Sequence, residues 1–456
     1  MSSTAGAATA AAIGTHTERR DGGDSDASVA RLPSRAASTN DEWKMIKRKS
    51  FQAQKNHGAA RHNDARRATT RVAMSGFMRW TETLTACGGY LGPARAVPSG
   101  VEVDEGGDVV SDDDKMRMVG HERASTSLAG RTYVVTGVMT NPSAQACARR
   151  LYIAGARVVC ACGDVQDAEK VLQTIRDAAA NGLNVDGDAI APEGTAKPSL
   201  QCGELIPLAC DLSKLSTIDV FVKNFQSKAW ALDGILCAEN ATHVEFATTE
   251  EGIEQHFAIN HLGHFKLTSL LLKELIRSAA ANGREGRVVN LTSNLHHFTY
   301  RVRQGTIKPS RGIDFGNLNS AYGYNPLGSY GQSKLANILH AWEMQERMSD
   351  AKAPVRCVAA TVGMTRDELE LSLSFPGGSI LASMASPIVT TAIEDGVATP
   401  LYCLTAPELP QGVFFVDCKA AKSSLPSRDP RLAAELWDVS EEMCAGDDAT
   451  VKLTSP

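Results

Sequence analysis

The stretch Thr132–Asp164, "TYVVTGVMTNPSAQACARRLYIAGARVVCACGD", decides the fold. Its first five residues are β-branched or aromatic, as a strand requires. Gly137 then opens a turn, and Pro142 stands where a helix would begin, a position that tolerates its missing N–H. A mixed helical stretch continues to Gly155, and "ARVVCAC" supplies a second apolar strand. Strand, turn, helix and strand, with both strands apolar on two faces, predict a parallel β-α-β unit. The helix N-terminus at the turn is an anion-receptive place. After Gly137 the turn carries Asn141 and Ser143 rather than further glycines. Glycine allows positive φ and close backbone approach, Asn tolerates the left-handed region better than most residues, and Pro142 removes one donor. Whether such a loop still cradles an anionic ligand is open at this point.

Downstream, "LIPLAC", "GILCAE", "RVVNLTS", "VRCVAAT" and "GVFFVD" read as further strands between amphipathic helical stretches. Alternation of this kind predicts a single α/β domain, a Rossmann-like doubly wound parallel sheet of about seven strands. The domain is expected over 127–447, with a tail at 448–456. The Gly/Pro-rich segment Ala179–Glu204 reads as an inserted surface loop. Residues 1–126 are rich in Ala, Ser, Thr and Gly without apolar periodicity, so a largely disordered extension is expected. It carries a basic block, Lys44–Arg79, and an acidic block, Glu102–Asp114, which read as solvated arms or as arms that dock on each other or on a partner. A short helix through Phe77, Met78 and Trp80 is the extension's one candidate for packing on the core.

A net charge of −5 makes no global case for nucleic acid, and no apolar run is long enough to span a bilayer. Eleven scattered cysteines without a CxxC fit a reduced compartment, and Cys160 and Cys162 read as core residues. An acidic start, with no apolar signal region, adds to an expectation of an intracellular, cytoplasmic protein. His256, His261 and His264 share a predicted helix but lack a convincing further ligand, so no metal site is expected.

The strongest chemical signal is "SYGQSKLANILH". Tyr330 and Lys334, four residues apart, share one face of a helix. A nearby ammonium favours the phenolate, which makes Tyr330 an acid/base for a carbonyl or alcohol oxygen. "GRVVNLTSN" ends a strand at Ser293, at the edge where open α/β sheets bind ligands. Ser293 is thus placed to bond the same oxygen.

These blocks, with "LAGRTYVVTG", "CDLSKLSTI", "EEGIEQHFAINHLGHFKLT" and "IDFGNLN", resemble the short-chain dehydrogenase/reductase superfamily from about Ser127 to Met443. Within it the chain is similar to the retinol-dehydrogenase-like branch, which includes the WW-domain-containing oxidoreductases. The resemblance implies an NAD(P)-dependent oxidoreductase acting on a small apolar carbonyl or alcohol compound of retinoid, steroid or lipid type. It implies catalytic roles for Asn260 (relay water), Ser293 (substrate oxygen), Tyr330 (acid/base) and Lys334 (nicotinamide ribose and tuning of Tyr330). Gly137, Asn141, Ser143 and Gly363 fall on its cofactor-binding positions, and Asp211 with Leu212 on its adenine pocket. A homodimer is the assembly to look for, with no nucleic-acid partner.

The chain also departs from that pattern. "CAEN", Cys237–Asn240, replaces the strand end NNAG, and Val362 stands before Gly363 where Pro is usual. Glu239 near a cofactor must be solvated, paired or protonated. Cys162 and Gly163 replace the residues that select between cofactors. With no acid there to repel a 2'-phosphate, NADP is slightly favoured over NAD. Two readings stand: an enzyme with a loosened cofactor site, and a silent scaffold or nucleotide sensor of the same fold. Phe298, Tyr324 and the Leu371–Ile393 region are candidate pocket residues.

Overall fold

The computed structural model describes residues 127–180, 202–302, 310–320, 323–373 and 378–445. The extension over 1–126 with its charged blocks, all but the ends of the Ala179–Glu204 insert, and the 448–456 tail lie outside the described residues.

Eight strands make one sheet: β1 (Thr132–Thr136), β2 (Arg157–Cys162), β3 (Glu204–Ala209), β4 (Gly234–Cys237), β5 (Gly286–Thr292), β6 (Val355–Thr361), β7 (Phe414–Val416) and β8 (Lys419–Ala420). Their order is β8-β7-β6-β5-β4-β1-β2-β3. Seven are parallel, as the apolar runs predict; the eighth, only two residues long, pairs antiparallel with β7 at the edge. Strands β1, β4 and β5 are buried throughout, so both faces must be covered.

The cover divides by side-chain alternation. Val135 faces a core built with α1 (Pro142–Ile153), α2 (Val165–Ala180) and α8 (Ala398–Thr405) through Leu151, Leu172 and Leu404. Val134, one residue earlier, faces α3 (Leu215–Ser227), α4 (Gly263–Asn282), α5 (Pro326–Asp350) and α9 (Pro430–Ala445) through Phe221, Phe265, Met344 and Trp437. Cys160 lies in the first core and Cys162 is buried beside it, so both serve as small packing residues. Two shorter helices, α6 (Arg366–Ser372) and α7 (Gly378–Val389), follow β6. Among the described residues no helix is long and apolar enough to cross a membrane.

The strand order reverses between β1 and β4, and the carboxyl ends of these neighbours open a crevice. Before α4 the chain makes a five-residue π-helical turn, Ala258–Leu262, which turns Asn260 inward. Such π-bulges are frequent at functional sites.

Burial holds several histidines neutral. His264 is pushed down to about 4, His296 and His340 to about 3, and His261 well below its ordinary value. All four are hydrogen-bonded: His261 to Ser440, His264 to Thr136, His296 to the Ser293 carbonyl and His340 to Asn290. The unfolded chain therefore takes up these protons first, near pH 6.5, and the stability the neutral rings contribute is lost as pH falls from there toward 4. Denaturant unfolding at pH 7, 6 and 5 should show a steeper loss than the ~1.4 kcal/mol per pH unit of a single group. His340→Gln should flatten the slope; a pH-independent unfolding free energy would contradict this assignment.

Candidate active site

The phosphate-loop position keeps its shape by an unexpected route. Gly137 has φ +79°, and a Cβ there would lie 2.8 Å from the Ala238 carbonyl oxygen and the Glu239 Cα, so the loop is pressed against the end of β4. Asn141, by contrast, has φ −113° and makes no use of left-handed tolerance. It caps α1 instead. Its Oδ1 accepts from the Ser143 N–H at 3.0 Å, and its Nδ2 donates to the Ala238 carbonyl at 2.7 Å. With Pro142 lacking an N–H and that of Ser143 engaged, two donors of the helix terminus are withdrawn from any anion. Glu239 is paired through the Thr140 hydroxyl, and burial raises its carboxyl above the usual range.

The acid/base residues converge on the neighbouring strand ends. Asn260 is fully buried and clamps the turn after β4, accepting from the Ala241 N–H at 2.7 Å and donating to the Ala241 carbonyl at 3.1 Å. It also donates to Ser333 Oγ on α5 at 3.0 Å. Ser293, at the end of β5, caps the 3-10 turn Asn294–His297. Tyr330 and Lys334 are buried on one face of α5, with the ammonium 5.4 Å from the phenol ring centre. The first turn of α5 is set by Asn325, which caps the Gly328 N–H, and by Pro326. Close packing holds the helix in place, since a Cβ on Gly331 would lie 2.7 Å from the Leu295 carbonyl oxygen.

The electrostatics differ from expectation. The spacing predicts a phenol lowered by Lys334, but Tyr330 is pushed well above its ordinary value, first by burial and then by the charge of Glu368. Its hydroxyl donates to a Glu368 carboxyl oxygen at 2.6 Å and to Asn240 Oδ1 at 3.3 Å. Burial lowers Lys334 to about 8, despite the nearby carboxylates of Glu368 and Glu239. Glu368 did not stand out in the sequence, although Thr365–Glu368 is a capping box just beyond a strand end, and that pattern was legible.

A cavity of about 400 Å³ reaches from Asn141 and Ser143 past Asn240 and Lys334 to Arg366 and Glu368, whereas Asn260, Ser293 and Tyr330 are fully buried and do not line it. Thr390 and Ile393, from the candidate pocket region, also line it. Leu371 and Phe298 pack beside Tyr330, whereas Tyr324 stacks near His256. Gly363, at φ +84°, holds the chain against Thr391, where a Cβ would collide with the side-chain oxygen at 2.1 Å. Asp211 and Leu212 are not brought to the cavity: Asp211 accepts from the Ser213 N–H and hydroxyl, and Leu212 packs against Gly263. His261 and His264 are engaged in the hydrogen bonds described above. The ligand atoms of His243, Glu254 and His256 lie within 4.8 Å of one another, but the Glu254 carboxylate caps the following turn through the His256 and Phe257 N–H groups.

The chain matches the profile of the short chain dehydrogenase family over residues 189–304. It is 32% identical over 323 residues to human retinol dehydrogenase 12, covering 70% of this chain and 88% of that protein. The chain belongs to the short-chain dehydrogenase/reductase family. Another relative is chloroplastic short-chain dehydrogenase TIC 32 A of Brassica napus, 33% identical over 51% of this chain and 70% of its own length. A structure of an uncharacterised protein from Mycobacterium paratuberculosis is 25% identical, with a TM-score of 0.49, over 71% of this chain and 96% of its own. The protein is accordingly an oxidoreductase that uses NAD or NADP on a carbonyl or alcohol group.

The residues present fit such a cofactor: Gly137 supplies a tight turn against β4, and the cavity runs from the α1 terminus to Lys334. The cost is the withdrawn Ser143 donor. Asn141→Gly frees that N–H while glycine remains an acceptable cap, at a cost of a few tenths of a kcal/mol. Nucleotide-fluorescence titration of this variant should show tighter NADPH or NADH binding; equal or weaker binding would contradict the account of the loop.

Proposed function

We propose that the protein interconverts a carbonyl and an alcohol on an apolar substrate, with Tyr330 as acid/base, Ser293 holding the reacting oxygen, Lys334 binding the nicotinamide ribose and Asn260 keeping the relay path in register. One observation supports this reading: the family's acid/base set is complete in this chain, and one of its members, Lys334, lines the cavity that runs from the α1 terminus to Glu368. The bound nicotinamide would supply or take the hydride. This chain's own groups handle the proton and the oxygen. Tyr330, held protonated first by burial, carries at neutral pH the proton that carbonyl reduction requires. An apolar substrate is supported by Leu371 and Phe298 beside Tyr330, and by the retinol dehydrogenases among the relatives. NADP is preferred because no carboxylate stands at Cys162 or Gly163.

The silent-scaffold reading draws on the Asn141 cap, which satisfies the loop without a nucleotide. Binding and turnover separate the two readings. Wild type should bind NADPH, and more weakly NADH, in a fluorescence titration, and should reduce an apolar aldehyde or ketone found by screening retinal, steroid ketones and medium-chain aldehydes. Tyr330→Phe should cost ~10²–10⁴-fold in turnover with little change in nucleotide affinity. Lys334→Ala should harm both. Alcohol oxidation needs the phenolate, so its rate should climb with pH well past neutrality, while reduction holds level there. Absence of nucleotide binding at millimolar concentration, or wild-type turnover in Tyr330→Phe, would sink the enzyme reading.

A further inference from the structure

Among the described residues Glu368 is the carboxylate that touches the Tyr330 hydroxyl, and its surroundings give it two tasks. One carboxyl oxygen, Oε2, accepts from the Thr365 N–H at 3.2 Å and closes the capping box that starts α6. The other, Oε1, accepts the Tyr330 hydroxyl at 2.6 Å, and the Ser293 side chain acts with Tyr330 to lower the same carboxyl. Glu368 is only 3% exposed. Burial raises the Glu368 carboxyl above its usual range, and Tyr330, Ser293 and the charge of Lys334 pull against that shift. These are the groups that a substrate oxygen needs.

We propose that Glu368 is a built-in occupant of the substrate-oxygen position, so that a carbonyl compound binds only after the carboxylate, and with it the start of α6, has left Ser293 and Tyr330. The inference rests on the reading of Ser293 and Tyr330 as the oxygen-holding pair. Two oxygens cannot share the one short contact to the phenol, so exclusion is mutual. The capping box gives the latch its reach: Thr365, Arg366 and Asp367 all line the cavity, so movement of the first turn of α6 reshapes the cavity wall as it frees the site. A ligand that binds only the open state has its apparent affinity reduced by the fraction of molecules that are open.

The test compares wild type, Glu368→Ala and Glu368→Gln at saturating NADPH, with a carbonyl substrate varied. Glutamine can still serve the capping box but carries no charge, so it separates the latch from the fold of α6. Glu368→Ala should raise kcat/KM by ~10-fold through a lower KM, with kcat no lower than wild type, and Glu368→Gln should fall between. A kcat loss of ~10²-fold or more at unchanged KM would make the carboxylate part of the proton path and overturn the latch. So would an unchanged KM in both variants. Should no form turn over any substrate, the proposed function fails, and decanoate decides the latch by itself. Its carboxylate should take the vacated place and raise the melting temperature of Glu368→Ala but not of wild type. Equal response of the two proteins, or none, would overturn the proposal.

Discussion

The site depends on holding an ammonium that is almost fully buried. Lys334 is buried in the middle of α5, where an isolated charge would be costly, and burial lowers its pKa to about 8. What keeps that position tolerable is architectural. Helix α5 packs across β5 and β6 and is tied to β5 by Thr292 Oγ1 on the Lys334 carbonyl and by Asn337 on the Leu291 carbonyl. Two carboxylates, Glu239 and Glu368, stand near enough to act on the ammonium. Tyr330, one helical turn earlier, shares this environment and is pushed in the opposite direction. The phenol therefore carries its proton at neutral pH, while the neighbouring lysine is partly titrated.

The same economy governs the nucleotide side. Where glycines would leave backbone donors facing an anion, this chain spends Asn141 on satisfying them internally. The loop keeps its outline because Gly137 alone bears the close approach to β4, at φ +79°. Thr136 completes the join, accepting from the Ala238 and Glu239 N–H groups while it bonds His264. A ligand phosphate must therefore compete with an existing cap, and cofactor binding becomes a contest between two sets of hydrogen bonds to the same donors.

The fold was legible because it is written in periodicity. The apolar runs of β1, β2 and β5 and the Tyr330–Lys334 spacing need only local rules, and α5 and the parallel sheet follow from them. The edge strand β8, with two residues, leaves no periodic trace, hence the expectation of about seven strands. The tolerance of Asn for left-handed backbone is not used at Asn141, where side-chain capping offers its own solution at φ −113°. Glu368 was missed because its partner lies 38 residues away in sequence, and only the tertiary fold brings α6 against α5. The lysine's expected effect on Tyr330 was overturned for the same reason: burial and a distant carboxylate outweigh the nearest ammonium.

The central claim is that Ser293, Tyr330 and Lys334 surround one site of hydride transfer. Isotope transfer tests it most directly. NADPH carrying deuterium at the nicotinamide C4, incubated with the full chain and an apolar aldehyde or ketone, should yield an alcohol with the deuterium on the former carbonyl carbon, seen by mass spectrometry. Product alcohol without the label, or label that appears equally without the protein, would contradict the account.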